Sequence, residues 1–203
     1  MNIKLSGIGK KFAKEWLFRS LNYTFESGNK YAITGYNGSG KTTLLKIIAA
    51  ATPTNEGTIQ YTFNQQAISE GNIYQYIAWT GPYTGLPSEM TLEEIYYFYH
   101  KFKPIHLSLK DFIERIKLES ARNKSVQNFS SGMKQKLQIA LALYSDSALI
   151  LLDEPSANFD QHNTAWLEEE INTIGNKKTV IISSNQASEI ALCDEVISIE
   201  KWK

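Results

Sequence analysis

The sequence predicts an α/β fold: a mixed, largely parallel sheet forms the core, carries a small antiparallel β subdomain and accepts an inserted helical subdomain. Three observations predict it. KYAIT (30–34), ALILL (148–152) and TVIIS (179–183) are continuous apolar runs, the composition of strands covered on both faces as in parallel sheets. Helical patterns separate these runs, and alternation of strand with helix defines the α/β class. IKLSGI (3–8), LNYTF (21–25) and GTIQYTF (57–63) instead carry the alternation and the β-branched or aromatic bias of half-buried antiparallel strands.

Along the chain, the first two antiparallel strands precede KYAIT, which leads into the turn ITGYNGSGKTT (33–43) and a helix at 42–50. GTIQYTF completes the antiparallel set. Helices are predicted at 91–102, 109–118 and 131–144. They lie in a stretch from about Tyr83 to Tyr144 that is nearly all helical and rich in Tyr, Phe and Ile, which reads as a lobe inserted between core segments 1–82 and 145–203 of a single domain. ALILL follows, then a helix at 162–174 with Gly175 as its C-cap, then TVIIS. No internal repeat or heptad run is present, which excludes solenoids and long coiled coils.

The bulk properties of the 203 residues are those of a folded chain, 42% hydrophobic and 21% charged. Lys+Arg and Asp+Glu both number 21, so no net field favours polyanions and no nucleic acid is expected as a partner. Lys10, Lys11 and Lys14 read as a solvated edge. The single cysteine, Cys193, rules out an intramolecular disulfide and fits a reducing compartment, most simply the cytosol, with a buried and inert thiol. No stretch approaches the ~18 apolar residues of a membrane helix, and the start has no signal-peptide core, so any membrane role passes through a partner.

Gly35, four residues (Tyr36, Asn37, Gly38, Ser39), Gly40, Lys41 and Thr42 match the phosphate loop G-x-x-x-x-G-K-[ST], with Thr43 following. Glycines allow successive N–H groups to converge on phosphate oxygens, and the helix behind adds the positive end of its dipole. Lys41 is expected to reach the β and γ phosphates of a nucleoside triphosphate, and the Thr42 hydroxyl to ligate Mg²⁺. ALILLDEP (148–155) supplies the partner motif: Asp153, at the end of a buried strand, joins Thr42 in the Mg²⁺ shell. Glu154, one residue on, is placed to polarise an attacking water.

NFSSGMKQKLQIALAL (128–143) resembles the signature motif LSGGQ of the ATP-binding cassette (ABC) family, with Phe129 at the Leu, Ser130, Ser131 at the first Gly, Gly132, and Met133 at the Gln. Ser130 is also a good N-cap for the helix that follows. With the phosphate loop included, the resemblance covers nearly the whole chain. It implies a phosphate-loop ATPase in which Phe12 stacks on adenine, while Trp16 belongs to the core. SANFD (156–160) resembles the family's D-loop, with Asp160 facing the opposite subunit. Two head-to-tail subunits enclose two ATP molecules, so Ser130 and Gly132 would cap the γ-phosphate of the partner's ATP. Most such cassettes drive integral membrane transporter subunits, which dock on a groove corresponding here to 79–90. The chain would then be cytoplasmic, peripheral on the inner face of the cell membrane.

Two positions depart from the family pattern. Pro82 stands where a glutamine normally meets metal and water, and proline has neither a side-chain amide nor an N–H. Gln75 lies too early in the chain, on the preceding segment, to substitute. Asn185 stands at the switch histidine; it can donate to a γ-phosphate oxygen but cannot act as an acid. His100, His106 and His162 are surface residues that do not fill the role. The expectation is a slow ATPase with Glu154, Lys41 and Asn185 at the reacting centre; the alternative is a non-hydrolytic, ATP-gated regulatory subunit. A cassette acting on DNA or ribosomes is a third, weaker class.

Overall fold

The computed structural model describes residues 1–82 and 84–203. The chain starts with strands β1 (Asn2–Phe12), β2 (Glu15–Phe25) and β3 (Lys30–Thr34), then helix α1 (Lys41–Ile48). Strands β4 (Glu56–Phe63), β5 (Gln66–Ile68) and β6 (Ile77–Thr80) precede helices α2 (Leu92–Phe102), α3 (Leu109–Ile116) and α4 (Ser131–Tyr144). Strand β7 (Leu149–Asp153), helix α5 (Gln161–Ile174), strand β8 (Thr179–Ser183), helix α6 (Ala187–Ile190) and strand β9 (Glu195–Ser198) complete it.

The predicted division between two kinds of strand is present. One sheet is parallel throughout, in the order β6-β7-β8-β3-β9; the other is antiparallel, in the order β2-β1-β4-β5. Alternation along the buried strands feeds two cores. Leu149 and Leu151 of β7, with Ile181 and Ile33, face the antiparallel sheet and α1. Ile150 and Leu152, with Val180 and Ile182, face the opposite side and share a core with Leu137, Leu141, Phe112 and Trp166 of the helices. Leu151 is fully buried at the centre of this arrangement. Leu151→Ala is therefore expected to lower unfolding free energy by about 2–5 kcal/mol, read from the urea midpoint at unchanged slope.

Several details differ from the sequence reading. Strands β5, β6 and β9 were not anticipated: at three or four residues each they are too short for periodicity to register. Helix α3 stops before Leu118 because Lys117 turns left-handed at φ 55°, and Leu118 N–H reaches back to Ile113 O at 3.3 Å. Gly175 does not cap α5 but opens a 3-10 turn, Gly175–Lys177. Tyr83, the expected start of the helical lobe, lies outside the described residues. Trp16 is not core. It is 37% exposed on the open face of the antiparallel sheet, with the Arg19 guanidinium 4.5 Å over its ring. Lys10 is not solvated either: it is buried, with Nζ donating to Pro53 O at 2.7 Å. His100, His106 and His162 are exposed as expected. Cys193 is partly buried, and burial pushes its thiol up to about 12.

Candidate functional site

Strand β3 ends at Thr34 and hands the chain to a loop before α1 begins at Lys41. Two glycines there are required by conformation and by space. Gly35 has φ 150° and a Cβ on it would lie 2.6 Å from Ser39 Oγ, while Gly40 has φ 108° and a Cβ would press on Leu17 at 2.8 Å. Among the described residues no side chain caps α1, so its first N–H groups are left for an outside acceptor. Beneath the loop, the buried Ser39 Oγ finds no hydrogen-bond partner among the described residues.

A cleft of about 380 Å³ opens over this loop. Phe12, Leu17 and Glu154 line it together with Asn37, Gly38, Gly40, Lys41, Thr42 and Thr43. Phe12 is 58% exposed at its edge. Lys41, only 5% exposed, curls back so that Nζ donates to Gly35 O at 2.7 Å. Thr42 Oγ1 donates to Asp153 Oδ2 at 2.7 Å, and the Ser183 hydroxyl donates to the other Asp153 oxygen. Hydroxyl and carboxylate thus meet at the carboxyl edge of the parallel sheet, where β7 and β8 end side by side. Glu154 follows in a left-handed conformation, φ 49°.

Other predicted positions are placed differently. The Asn185 amide is engaged at both ends by one residue: Gly35 N–H donates to Oδ1 at 3.1 Å, and Nδ2 donates to Gly35 O at 2.8 Å. Tyr36 N–H donates to Glu200 Oε1 at 3.1 Å, and Lys203 Nζ lies 3.7 Å from the centre of its ring. Ser130 caps α4, its Oγ accepting Met133 N–H at 3.2 Å. Neither Ser130 nor Gly132 lines the cleft; Gly132 packs instead beside Asn158 O. Pro82 is exposed and borders, with Asp153 and Gln135, a second cleft of about 340 Å³. Gln75 lies in a 3-10 turn and lines neither. The sequence reading missed Ser183, Gln135 and Glu200. For Ser183 a signal existed, since a hydroxyl ending β8 must neighbour the end of β7.

A third cavity, about 320 Å³ and largely apolar, lies between β6, α2 and α4, with Trp79, Phe98, Phe102 and Leu141 on its walls. Lys103 forms part of its floor, and burial pulls that ammonium down to about 8. Among the described residues no helix is long and apolar enough to cross a membrane.

Comparison with known proteins finds relatives along most of the chain. The family model described as ABC transporter matches residues 18–157. ABC transporter ATP-binding protein NatA of Bacillus subtilis is 34% identical over 189 residues, covering 89% of this chain and 77% of that protein. Nod factor export ATP-binding protein I of Burkholderia lata is 28% identical over 208 residues, covering 99% of this chain and 68% of that protein. Among solved structures, a putative ABC transporter ATP-binding protein from Pyrococcus furiosus superimposes with TM-score 0.85 at 21% identity, over 100% of both chains. The cassette MJ0796, in a dimeric post-hydrolysis state with ADP and Pi, gives 0.81 at 20% identity, over 97% of this chain and 93% of that one. With a family match through both the loop and the strand that meets it, and a relative more than 30% identical along most of its length, the chain belongs to the ABC transporter family as an ATP-binding subunit.

Proposed function

We propose that this chain binds Mg-ATP in the loop cleft and hydrolyses it to ADP and phosphate, driving a transporter whose membrane-spanning parts are separate chains. The observation that carries this reading is the 2.7 Å contact of Thr42 Oγ1 with Asp153 Oδ2 immediately before Glu154. It joins a hydroxyl, a carboxylate and a base at the mouth of a loop of convergent amides. The donor set fits Mg²⁺, since both are hard oxygen ligands and the Ser183 hydroxyl orients the carboxylate from behind. Bound there, Mg²⁺ would neutralise charge on the β and γ phosphates. Lys41 has three ammonium donors and gives a short bond to Gly35 O and a long one of 3.5 Å to Tyr36 O, leaving a donor for phosphate oxygens. The Glu154 carboxylate would accept a proton from water attacking the γ-phosphorus as the bridging bond to ADP breaks. Phe12 offers its exposed ring to adenine.

The position of Ser130 and Gly132 away from the chain's own cleft supports a head-to-tail pair, in which each subunit completes the other's site. The apolar cavity beside Trp79 and Phe98 supports docking of membrane subunits, and with it a location on the inner face of the cell membrane. Asn185 acts here on Gly35, holding the first turn of the loop. Asn185→Ala is expected to weaken Mg-ATP binding about fivefold, the worth of about 1 kcal/mol of lost hydrogen bonding, with little change in kcat; calorimetry and phosphate-release kinetics read the two separately.

A second reading is favoured by Pro82, which lines the same cleft as Asp153 yet has no amide to offer there. In that reading the chain is a slow or non-hydrolytic subunit whose ATP acts as a gate. Steady-state phosphate release from Mg-ATP, with and without partner subunits, decides between them. Release above background that requires Glu154 supports hydrolysis, whereas background release with tight ATP binding establishes the gate.

A further inference from the structure

The turn carrying Glu154 is strained and held from two sides. A φ of 49° is uncommon for a residue with a side chain, and persists only where the surroundings over-determine it. From the sheet core, Ser183 O accepts the Glu154 N–H at 3.0 Å, and the buried Glu189 accepts the Ser156 N–H at 2.8 Å. From the helical side comes one residue of α4. Gln135 Nε2 donates to Glu154 O at 3.2 Å and Pro155 O at 2.6 Å, while its Oε1 accepts from Asn158 Nδ2 at 3.0 Å. Both ends of this carboxamide are thus directed at one five-residue stretch. Three residues on, Gln138 donates to Thr84 O in the segment that follows Pro82. The same face of α4 therefore grips both backbone segments that border Asp153.

We propose that Gln135 is a positioning residue for hydrolysis: it ties the placement of α4, with Ser130 and Gly132 at its N-terminal end, to the backbone that aims Glu154. The inference rests on the reading of Glu154 as the base. Gln135 does not line the loop cleft and acts through Glu154. Apolar packing tolerates sliding, but directional hydrogen bonds to two successive carbonyls do not, so a shift of α4 is carried to the Glu154 peptide. The carboxamide shares its acceptor with the backbone bond that closes the turn, in which Ala157 N–H donates to the same Glu154 O at 3.2 Å.

Gln135→Met keeps length and helix propensity while removing both hydrogen-bonding ends. In the full-length protein it is expected to lower kcat by about tenfold or more with Mg-ATP Kd within about twofold, whereas a merely structural role would lower affinity and Tm together. Gln135→Arg, whose guanidinium again offers donors to two carbonyls, recovers part of the loss. In a Glu154→Gln background, Gln135→Met changes turnover by less than about twofold, because a residue acting through another adds nothing once that other is gone. Wild-type kcat in Gln135→Met, equal losses in the Met and Arg variants, or a further fall in the Glu154→Gln background each overturns the proposal. Wild-type turnover in Glu154→Gln alone overturns the base assignment instead, which is a distinguishable result. Hydrogen exchange gives a readout independent of turnover. The Ala157 amide exchanges faster in Gln135→Met while the amides of α4 keep their protection, and unchanged exchange at Ala157 sinks the idea.

Discussion

Lys41→Ala is expected to bind Mg-ATP at least about a hundredfold more weakly than the wild type, a loss of about 3 kcal/mol, because charge-assisted hydrogen bonds to phosphate are among the strongest a protein makes. The side chain starts from a nearly buried position with its ammonium already inside the loop, so no other cation replaces it without rebuilding the turn. The same Nζ holds Gly35 O, and its removal also loosens the loop. Lys41→Arg separates the two contributions. It keeps the charge but carries a wider planar head, and is expected to retain folding while recovering only part of the affinity. Titration calorimetry with circular dichroism on both variants provides the measurement; unchanged Mg-ATP affinity in Lys41→Ala would contradict the assignment of the cleft.

Glu154→Gln is expected to leave Mg-ATP affinity nearly intact and to cut turnover by about 10²–10⁴, the range for losing a placed general base. The substitution is close to isosteric, so the left-handed turn and its bond to Ser183 O persist while the proton acceptor disappears. Single-turnover phosphate release measures the effect directly. An equal fall in affinity and rate would show that Glu154 supports the loop rather than the chemistry. The two variants would therefore dissect the proposed site, Lys41→Ala reporting on the holding of nucleotide and Glu154→Gln on its breakage.

What could be read beforehand follows from the range over which each feature is determined. The loop was legible because its backbone conformation is local: Gly35 and Gly40 sit at positive φ, which glycine alone adopts freely, although the side chains that crowd them include distant ones such as Leu17 and Ile199. Strands β3, β7 and β8 were legible because burial on both faces keeps their central positions apolar, with polar residues only at the ends. Asn185 is different. Its two bonds to Gly35 join residues 150 positions apart, and nothing near Asn185 announces them. Lys10 and Trp16 exchanged their expected places for a similar reason. A lysine can bury its stem if a distant carbonyl receives the head, as Pro53 O does, and an indole stays near water when cations cover it. Gln135 looked like one polar position among several on an amphipathic helix, and only the packing of α4 against the end of β7 gives it three partners.

The hydrophobic interior shared by α2–α5 and one side of the parallel sheet has a consequence for evolution and for engineering alike. Trimming or transplanting the helical insert would bare Ile150, Leu152, Val180 and Ile182, so grafts between related cassettes must carry that whole seam along. Swaps meant to alter the proposed docking are better confined to the rim around Phe98 and Phe102, where side chains can be exchanged without opening the scaffold beneath.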